Sequence, residues 1–217
     1  MFDCTTDKYD AIYAPWLQDV RALLNIGGYQ SGEKLLDLCG GTGAVCRGGT
    51  FRRKSGPEPD LTLLDLNPRC KNPKVRQVEG KAEDVAIHFE RDTFDIVVCR
   101  QAMGYVEPGF VIPGVYRVLK PGGRFVFSTF VHPRRGSHKR YDHKGNRYVE
   151  AHVFAFNRIL HLQWRLGTGA DLTLFRYYSR AKLGSLLQPW FDFDVHEVGR
   201  GLRWVCVKPG KLRAAGG

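Results

Sequence analysis

The chain predicts an α/β fold, with a mainly parallel sheet flanked by helices, and three stretches carry this prediction. Residues 35–43 (LLDLCGGTG) are a short apolar run that passes into an Asp and a glycine-rich turn. Residues 61–68 (LTLLDLNP) repeat the pattern of an apolar run that ends in an acid. Residues 115–130 join the end of a helix to a strand through Pro-Gly-Gly. Continuous apolar strands that alternate with helical segments are typical of parallel sheets.

The glycine-rich turn predicts a ligand site, because glycines let the backbone approach a ligand beyond the carboxyl end of a strand. A phosphate-binding loop would place Lys-Ser or Lys-Thr after the glycines, but Ala44 and Val45 follow here. The dinucleotide fingerprint G-x-G-x-x-G does not fit either, since residues 40–45 read GGTGAV. A strand and turn with a purely structural role is the remaining alternative.

The turn resembles motif I, D-x-G-x-G-x-G, of the class I S-adenosylmethionine-dependent methyltransferases. Asp37, Gly41 and Gly43 match this motif, and Cys39 stands at its first glycine. Residues 116–125 (YRVLKPGGRF) are close to a signature of the same family, in particular of its small-molecule, type 11 members. The matching motifs cover roughly residues 8–130. The resemblance implies a Rossmann-like fold, S-adenosyl-L-methionine as cofactor and methyltransferase activity.

The first predicted element is a helix from about residue 8 to residue 24, where apolar residues recur at helical spacing before Gly27 and Gly28. Residues 9–13 (YDAIY) are similar to the Y-D-x-x-Y lead-in of many small-molecule methyltransferases, in which a tyrosine such as Tyr13 covers the methionine end of the cofactor. Aromatic packing within the helix is the alternative. A second helix is predicted from about residue 43 to residue 53, followed by a loop at 54–59.

The connection after the second strand is shorter than the family pattern. Only residues 69–75 separate that strand from the next predicted strand at 75–80, and Asn72-Pro73 interrupts them, so the usual helix is not expected. Residues 94–100 form a continuous apolar run that predicts the fourth strand. A turn at 121–123 and a fifth strand at 124–130 follow.

The resemblance implies a cofactor contact at each strand tip. Asp65 is expected to accept hydrogen bonds from the ribose hydroxyls, and residues 80–84 (GKAED) match the family's adenine-side motif except at Lys81. Because a lysine cannot accept a hydrogen bond, Glu83, Asp84 or a backbone carbonyl would have to serve the adenine amino group. The residues expected to bind the cofactor are Tyr13, Asp37, Cys39, Gly41, Asp65, Leu66, Ala82, Glu83, Cys99 and Arg100.

Catalytic residues are harder to name, because the sulfonium methyl group is already activated and a base is needed only for a protonated acceptor. His132, just past the fifth strand, is a weak candidate for that base, and Tyr105 is a weak candidate to face the substrate. A surface histidine and a core tyrosine are the alternatives. No metal site is expected, since His132, His138 and His143 have neither tight spacing nor paired carboxylates near them.

The composition changes after the fifth strand. Residues 132–147 carry six Lys or Arg against one Asp, which predicts a mobile basic loop, either a lid that attracts an anionic substrate or a solvated surface. Residues 148–178 are rich in aromatic and β-branched residues and predict an added antiparallel β insertion. A helix at 179–187 with Ser179 as N-cap, and strands at 191–198 and 202–209, close the fold. The tail from residue 210 is expected to be disordered.

These elements predict a single methyltransferase domain over residues 1–217, with a cofactor-binding core at 8–131, a basic loop and β cap at 132–178, and a closing helix and strand pair at 179–209. The six cysteines form no C-x-x-C pair, which indicates buried reduced thiols rather than zinc or redox motifs. No long apolar span or signal-like N-terminus is found, so a soluble, cytoplasmic protein is expected.

Three functions remain open from the sequence. The first is transfer of a methyl group to an O or N atom of a small, anionic molecule. The second is methylation of RNA or protein, which the net charge of +11 favours because it attracts anionic partners. The third is a non-catalytic, methyltransferase-like partner subunit, which the short second crossover, Cys39 and Lys81 favour.

Overall fold

The described strands of the chain follow the order that the sequence predicts. The computed structural model describes residues 17–46, 60–130, 178–198 and 201–210. Its elements are α1 (Leu17–Ile26), β1 (Lys34–Leu38), β2 (Asp60–Asp65), β3 (Arg76–Glu79), a 3-10 turn (Ala82–Asp84), α2 (Val85–His88), β4 (Phe94–Arg100), α3 (Pro108–Val118), β5 (Leu119–Phe130), α4 (Arg180–Leu187), β6 (Asp192–Val198) and β7 (Gly201–Val207).

The seven described strands form one sheet in the order β3-β2-β1-β4-β5-β7-β6. The first five strands of that order are parallel to their neighbours, whereas β7 pairs antiparallel with both β5 and β6. The prediction of an α/β fold with a mainly parallel sheet is therefore confirmed. The order reverses between β1 and β4, where Asp37 lies beside Val98. At such a reversal a crevice opens beyond the carboxyl ends of the two strands.

Both faces of the central strands are buried, which explains their continuous apolar sequences. On one face, Leu36 and Val97 pack in a cluster with Val111 of α3. On the other face, Leu35 packs in a second cluster with Leu23 of α1. The two helices therefore cover opposite faces of the sheet and leave its strand ends as the places where loops meet.

The Pro-Gly-Gly segment lies within a strand, although the sequence predicts a separate turn there. The helix α3 already ends at Val118, and β5 follows directly instead of starting at residue 124. The backbone of Lys208 explains the difference, because it accepts a hydrogen bond from the Gly122 amide and donates one to the Gly123 carbonyl, each at 2.9 Å. The register between β4 and β5 shifts at this point, so the segment forms an irregularity inside the pairing.

The helix predicted from residue 43 does not begin in the described part of that stretch. Residues 41–46 form consecutive turns, in which Gly43 donates to the Gly40 carbonyl at 2.8 Å and Cys46 donates to the Gly43 carbonyl at 3.0 Å. The backbone of Gly43 has a φ of 74°, which a right-handed helix does not accept. The rest of the predicted helix, residues 47–53, lies outside the described residues.

The short second crossover is confirmed, since residues 66–75 between β2 and β3 contain no helix. The prediction for Ser179 is also confirmed, because its Oγ accepts a hydrogen bond from the Lys182 amide at 3.1 Å at the start of α4. The closing strand pair is present as β6 and β7. Several other predictions lie outside the described residues: the helix before residue 17 with Tyr13, the basic loop with His132, the strands at 148–177 and the tail at 211–217.

Ion pairs gather where the parallel strands begin, a side of the sheet that we call the amino edge. The pairs are Lys34–Asp60 (3.5 Å), Lys120–Asp95 (2.8 Å), Arg124–Glu33 and Lys208–Asp92 (2.6 Å). Lys208 is buried, and its ammonium group also donates to the Leu119 carbonyl at 2.5 Å and lies 4.7 Å from the centre of the Tyr116 ring. The opposite side, where the parallel strands end, is the carboxyl edge.

Candidate functional site

The carboxyl edge opens at the reversal of strand order. Cys39 directly follows β1 and Gln101 directly follows β4, and both have left-handed backbones, with φ of 58° and 53°. Non-glycine residues rarely adopt this conformation, and when they do they are concentrated at functional sites. The Gln101 amide is held by Ser128 of β5, through the carbonyl at 3.1 Å and through Oγ at 3.2 Å. Two neighbouring strands therefore turn sharply at the same point, which shapes the crevice between them.

The glycine-rich turn is tied to Asp65 at the tip of β2. The Gly41 amide donates to Asp65 Oδ2 at 2.9 Å, and the Asn67 amide donates to Asp65 Oδ1 at 2.9 Å. Gly41 has a φ of 53°, a conformation that glycine adopts at no steric cost. Each carboxylate oxygen can accept a further hydrogen bond, so Asp65 is fixed in orientation and still able to accept hydroxyl protons.

Asp37 lies beneath this turn and is only 2% exposed. A Cβ on Gly40 would lie 2.5 Å from the Asp37 carboxyl carbon, so the turn is closed directly over the acid. Burial raises the pKa of Asp37 to about 7; the charge of Arg100 opposes this and the charge of Asp65 adds to it. Cys46 Sγ lies 3.8 Å from Asp37 Oδ2 as a weak donor. Asp37 supports the turn from below and has almost no surface of its own to offer a ligand.

Cys39 and Cys99 form a thiol pair at the same place. Cys99 is fully buried, and Cys39 is partly buried against the same cluster. Interaction with the Cys99 thiol and burial together raise the pKa of Cys39 well above its ordinary value. Since the thiolate is the reactive form of cysteine, Cys39 is a neutral lining group rather than a nucleophile.

The predicted adenine side contains a contact that the sequence did not foresee. Glu83 Oε1 accepts a hydrogen bond from the Glu107 amide at 2.8 Å, and Glu107 is the N-cap residue of α3. Glu83 therefore links the 3-10 turn to the start of α3, which occupies one of its oxygens. Ala82 is buried beside it, and Asp84 ends the 3-10 turn.

Three further predicted residues lie at the carboxyl edge. Leu66 directly follows Asp65 and is 61% exposed, and Tyr105 beyond β4 is 55% exposed. Arg100 ends β4 and is close enough to Asp37 for its charge to lower the pKa of that acid. The described candidates thus lie at or next to the carboxyl edge, and Tyr13 and His132 lie outside the described residues. Gln101 was expected at this strand tip, but the contribution of Ser128 was missed, because nothing in the sequence places its hydroxyl against the Gln101 amide.

Comparison with known proteins agrees with the family resemblance seen in the sequence. A family model described as a methyltransferase domain matches residues 9–198. The chain belongs to the class I methyltransferase family. This family uses S-adenosylmethionine as cofactor.

Two curated relatives show how far the sequence similarity extends. The methyltransferase matches the ubiquinone/menaquinone biosynthesis C-methyltransferase UbiE of Pasteurella multocida with 30% identity over 154 residues, which cover 61% of this chain and 55% of UbiE. It matches the demethylmenaquinone methyltransferase of Tropheryma whipplei with 32% identity over 151 residues, which cover 62% of this chain and 59% of that protein. The matched region thus spans less than two thirds of the length of either relative.

Solved structures share the fold at low sequence identity. A chain from the complex with the Haloferax volcanii Trm112 methyltransferase activator has a TM-score of 0.65 at 15% identity, over 94% of this chain and 95% of that one. A SAM-dependent methyltransferase from Aquifex aeolicus has a TM-score of 0.62 at 15% identity, over 93% and 96% of the two chains. At this level of identity the likeness shows a common fold.

Two kinds of feature are absent from the described residues. None of the helices in this part of the chain combines the length and the apolar character that crossing a bilayer requires. Among the same residues, no three His, Cys, Asp or Glu side chains are grouped so that they could hold a metal ion.

Proposed function

We propose that this methyltransferase transfers the methyl group of S-adenosylmethionine to an O or N atom of a small, anionic molecule. One observation carries the placement of the cofactor. The Asp65 carboxylate is held at the tip of β2 by the amides of Gly41 and Asn67, at 2.9 Å each, beside the glycine-rich turn. A carboxylate fixed in this way is suited to accept both ribose hydroxyls, because each of its oxygens can accept a further hydrogen bond.

The residues around the crevice have separate tasks in this proposal. The cofactor supplies a methyl group on a sulfonium, which is already activated toward a nucleophile. Asp65 holds the ribose, and Leu66 offers an exposed apolar surface beside it. Arg100 supplies a positive charge at the end of β4, where it can attract an anionic acceptor or the cofactor's carboxylate. Because the methyl group needs in-line approach and little else, correct positioning is the main contribution of the protein.

Methylation of a ring carbon is the second candidate. It is favoured by the two curated relatives, which are named as a C-methyltransferase and as a demethylmenaquinone methyltransferase. Turnover of small phenols and amines, but not of quinol-type acceptors, would favour the first candidate over the second. The opposite result would favour carbon methylation. Tyr105, more than half exposed at the carboxyl edge, is a suitable contact for a planar acceptor of either kind.

Two further candidate functions are methylation of RNA or protein and a role as a partner subunit. Each is tested by a different measurement. The net charge of +11 favours an anionic polymer, whose binding would weaken steeply as salt is raised. A neighbour in fold is found in complex with the Trm112 activator, so activity that appears only with an added activator protein would favour a two-subunit enzyme. A chain that binds no S-adenosylmethionine would instead act as a non-catalytic subunit.

Calorimetry with S-adenosylmethionine tests the proposed cofactor site. Asp65→Ala is expected to weaken binding at least about tenfold, which corresponds to about 1.4 kcal/mol, because the ribose loses its acceptor. Asp60→Ala is the matched control, since Asp60 begins the same strand and pairs with Lys34 at the amino edge. A folded Asp65→Ala protein that binds the cofactor as tightly as the wild type would contradict the proposal.

A further inference from the structure

The connection between β2 and β3 lies directly against the glycine-rich turn. The Arg69 amide donates to the Gly41 carbonyl at 2.9 Å. Cys70 is buried behind the turn, and a Cβ on Gly43 would lie only 2.5 Å from its sulfur atom. The segment that replaces the usual crossover helix is therefore in close contact with the part of the backbone that faces the cofactor.

Two side-chain amides hold this connection in place. Asn72 Nδ2 donates to the Cys46 carbonyl at 3.1 Å, which joins the connection to the end of the described turn. Gln77 on β3 makes two bonds to the backbone of Cys70, accepting from its amide at 2.8 Å and donating to its carbonyl at 2.9 Å. Gln77 thereby ties Cys70 to the sheet, and Cys70 in turn supports Gly43.

We propose that Asn72 and Gln77 are positioning residues of the cofactor site, which act through Cys46 and Cys70 to fix the glycine-rich turn. The inference rests on the proposed cofactor site. A packed helix would otherwise give this turn a rigid neighbour. Here two amide side chains provide the rigidity, so the turn is preorganised before the cofactor arrives and less ordering is needed on binding.

The turn itself explains why such support is needed. Two hydrogen bonds that each span three residues close it, and Gly41 and Gly43 both have left-handed backbones. Glycines carry the largest conformational freedom of any residue, so an unsupported turn of this composition would sample many shapes. Hydrogen bonds donated by the Asn72 side chain and by the Arg69 amide hold its two ends, while Cys70 fills the space behind its centre.

Isosteric variants separate these bonds from the rest of the structure. Asn72→Asp keeps the acceptor for the Lys74 amide, 3.1 Å away, and loses the donor to Cys46. Gln77→Glu keeps the acceptor for the Cys70 amide and loses the donor to its carbonyl. Gln77→Met removes both bonds without adding charge. Gln30→Glu is the matched control, because Gln30 Nε2 donates to the Gly28 carbonyl at 3.1 Å in an exposed turn at the amino edge.

The measurements are the dissociation constant for S-adenosylmethionine, taken well below each variant's unfolding temperature, and hydrogen exchange of the amides in residues 41–46 without cofactor. We expect binding weaker by about three- to tenfold in the Asn72 and Gln77 variants, faster exchange in the turn, and a control within about twofold of the wild type. A role in stability alone would lower the unfolding temperature and leave both readouts unchanged.

The two possible failures are distinguishable. If the wild-type chain bound no S-adenosylmethionine, the proposed function would fall and this inference with it. If the wild type bound the cofactor and the variants bound it equally well, with unchanged exchange in the turn, the positioning role alone would be overturned.

Discussion

Charged residues are arranged in different ways at the two edges of the parallel sheet. At the amino edge, acids and bases meet in direct pairs: Lys120 with Asp95 at 2.8 Å and Lys208 with Asp92 at 2.6 Å. At the carboxyl edge, Asp37 is buried under a glycine turn, and the backbone amides of Gly41 and Asn67 hold Asp65. The first arrangement satisfies charge within the protein, and the second leaves charge directed at a crevice.

The pKa values of one acid at each edge express this difference. Burial alone would raise the pKa of Asp95, but hydrogen bonds from Lys120 and from the Lys34 amide bring it below its ordinary value. Burial raises the pKa of Asp37 to about 7, and the nearby charge of Arg100 only partly opposes it. The comparison teaches that ion pairs at the amino edge contribute stability, whereas stability is given up at the carboxyl edge to keep the turn in position.

The largest expected effect concerns Asp37 and pH. Its pKa in the folded chain is about 7 against an ordinary 3.8, so the folded state binds the proton more tightly than the unfolded state. The stabilising contribution of the neutral acid is present below about pH 4 and is lost as pH rises through about 7. Asp37→Asn should remove this dependence, which amounts to about 4 kcal/mol at most. Denaturant unfolding of the cofactor-free chain at pH 5 and pH 8 should show about 2.7 kcal/mol of it, because pH 5 lies about two units below the folded pKa of about 7.

The control for Asp37→Asn is Asp95→Asn, because the pKa of Asp95 is shifted in the opposite direction. A lowered pKa stabilises the folded state at pH values above the ordinary pKa of the group, and this stabilisation is lost on acidification. Because Asp95 is well paired at the amino edge, its substitution should destabilise the chain at both pH values. Equal pH dependence in the wild type and Asp37→Asn would show that the two edges do not differ as described.

The next effect compares a buried cation with an exposed one at the amino edge. Lys208→Met should destabilise the chain by about 2 kcal/mol, because the buried Leu119 carbonyl and Asp92 lose a charged donor. Lys34→Met removes a pair whose side chains are both more than half exposed, at 51% and 56%, and should cost less than about 0.5 kcal/mol. Neither should alter cofactor affinity. Thermal unfolding and calorimetry check both statements, and similar losses from the two variants would contradict the role of burial.

The last comparison is between two glycines of similar backbone conformation. Gly43 at the carboxyl edge has a φ of 74° and Gly122 at the amino edge has a φ of 76°. A Cβ on Gly122 would meet nothing within 4 Å, so Gly122→Ala should cost about 1 kcal/mol of backbone strain and leave cofactor binding unchanged. Gly43→Ala adds a collision with Cys70 to the same strain and should also weaken the cofactor. Equal cofactor affinity in both variants would place the turn outside the site.

Much of the fold could be predicted because its signals are local. The apolar run that passes into Asp37 fixes a strand and its end, and Ser179 marks a helix start through a single side chain. The absence of a helix after β2 could also be predicted, because Asn72-Pro73 leaves no room for one. Each of these conclusions depends on residues that are close together in sequence.

Contacts between distant segments could not be predicted in this way. The Pro-Gly-Gly segment reads as a turn until the backbone of Lys208 is seen to pair with it. Glu83 reads as a free acceptor until it is found bonded to the Glu107 amide. Asn72 reads as a helix breaker, and its hydrogen bond to Cys46 depends on how the connection folds back on the turn. In each case the deciding partner lies on another element, and nothing in the sequence names it.

The antiparallel pair at the end of the sheet bears on the order in which the chain assembles. Val198 of β6 lies opposite Gly201 of β7, so this hairpin joins neighbouring residues. Leu35 of β1 instead lies opposite Ile96 of β4, and bringing them together requires closure of a long loop. Hairpins form within about 1–10 μs, whereas non-local parallel pairing is slow. We therefore expect β6 and β7 to be among the first strands to pair, and competence to bind a ligand to arise late in folding.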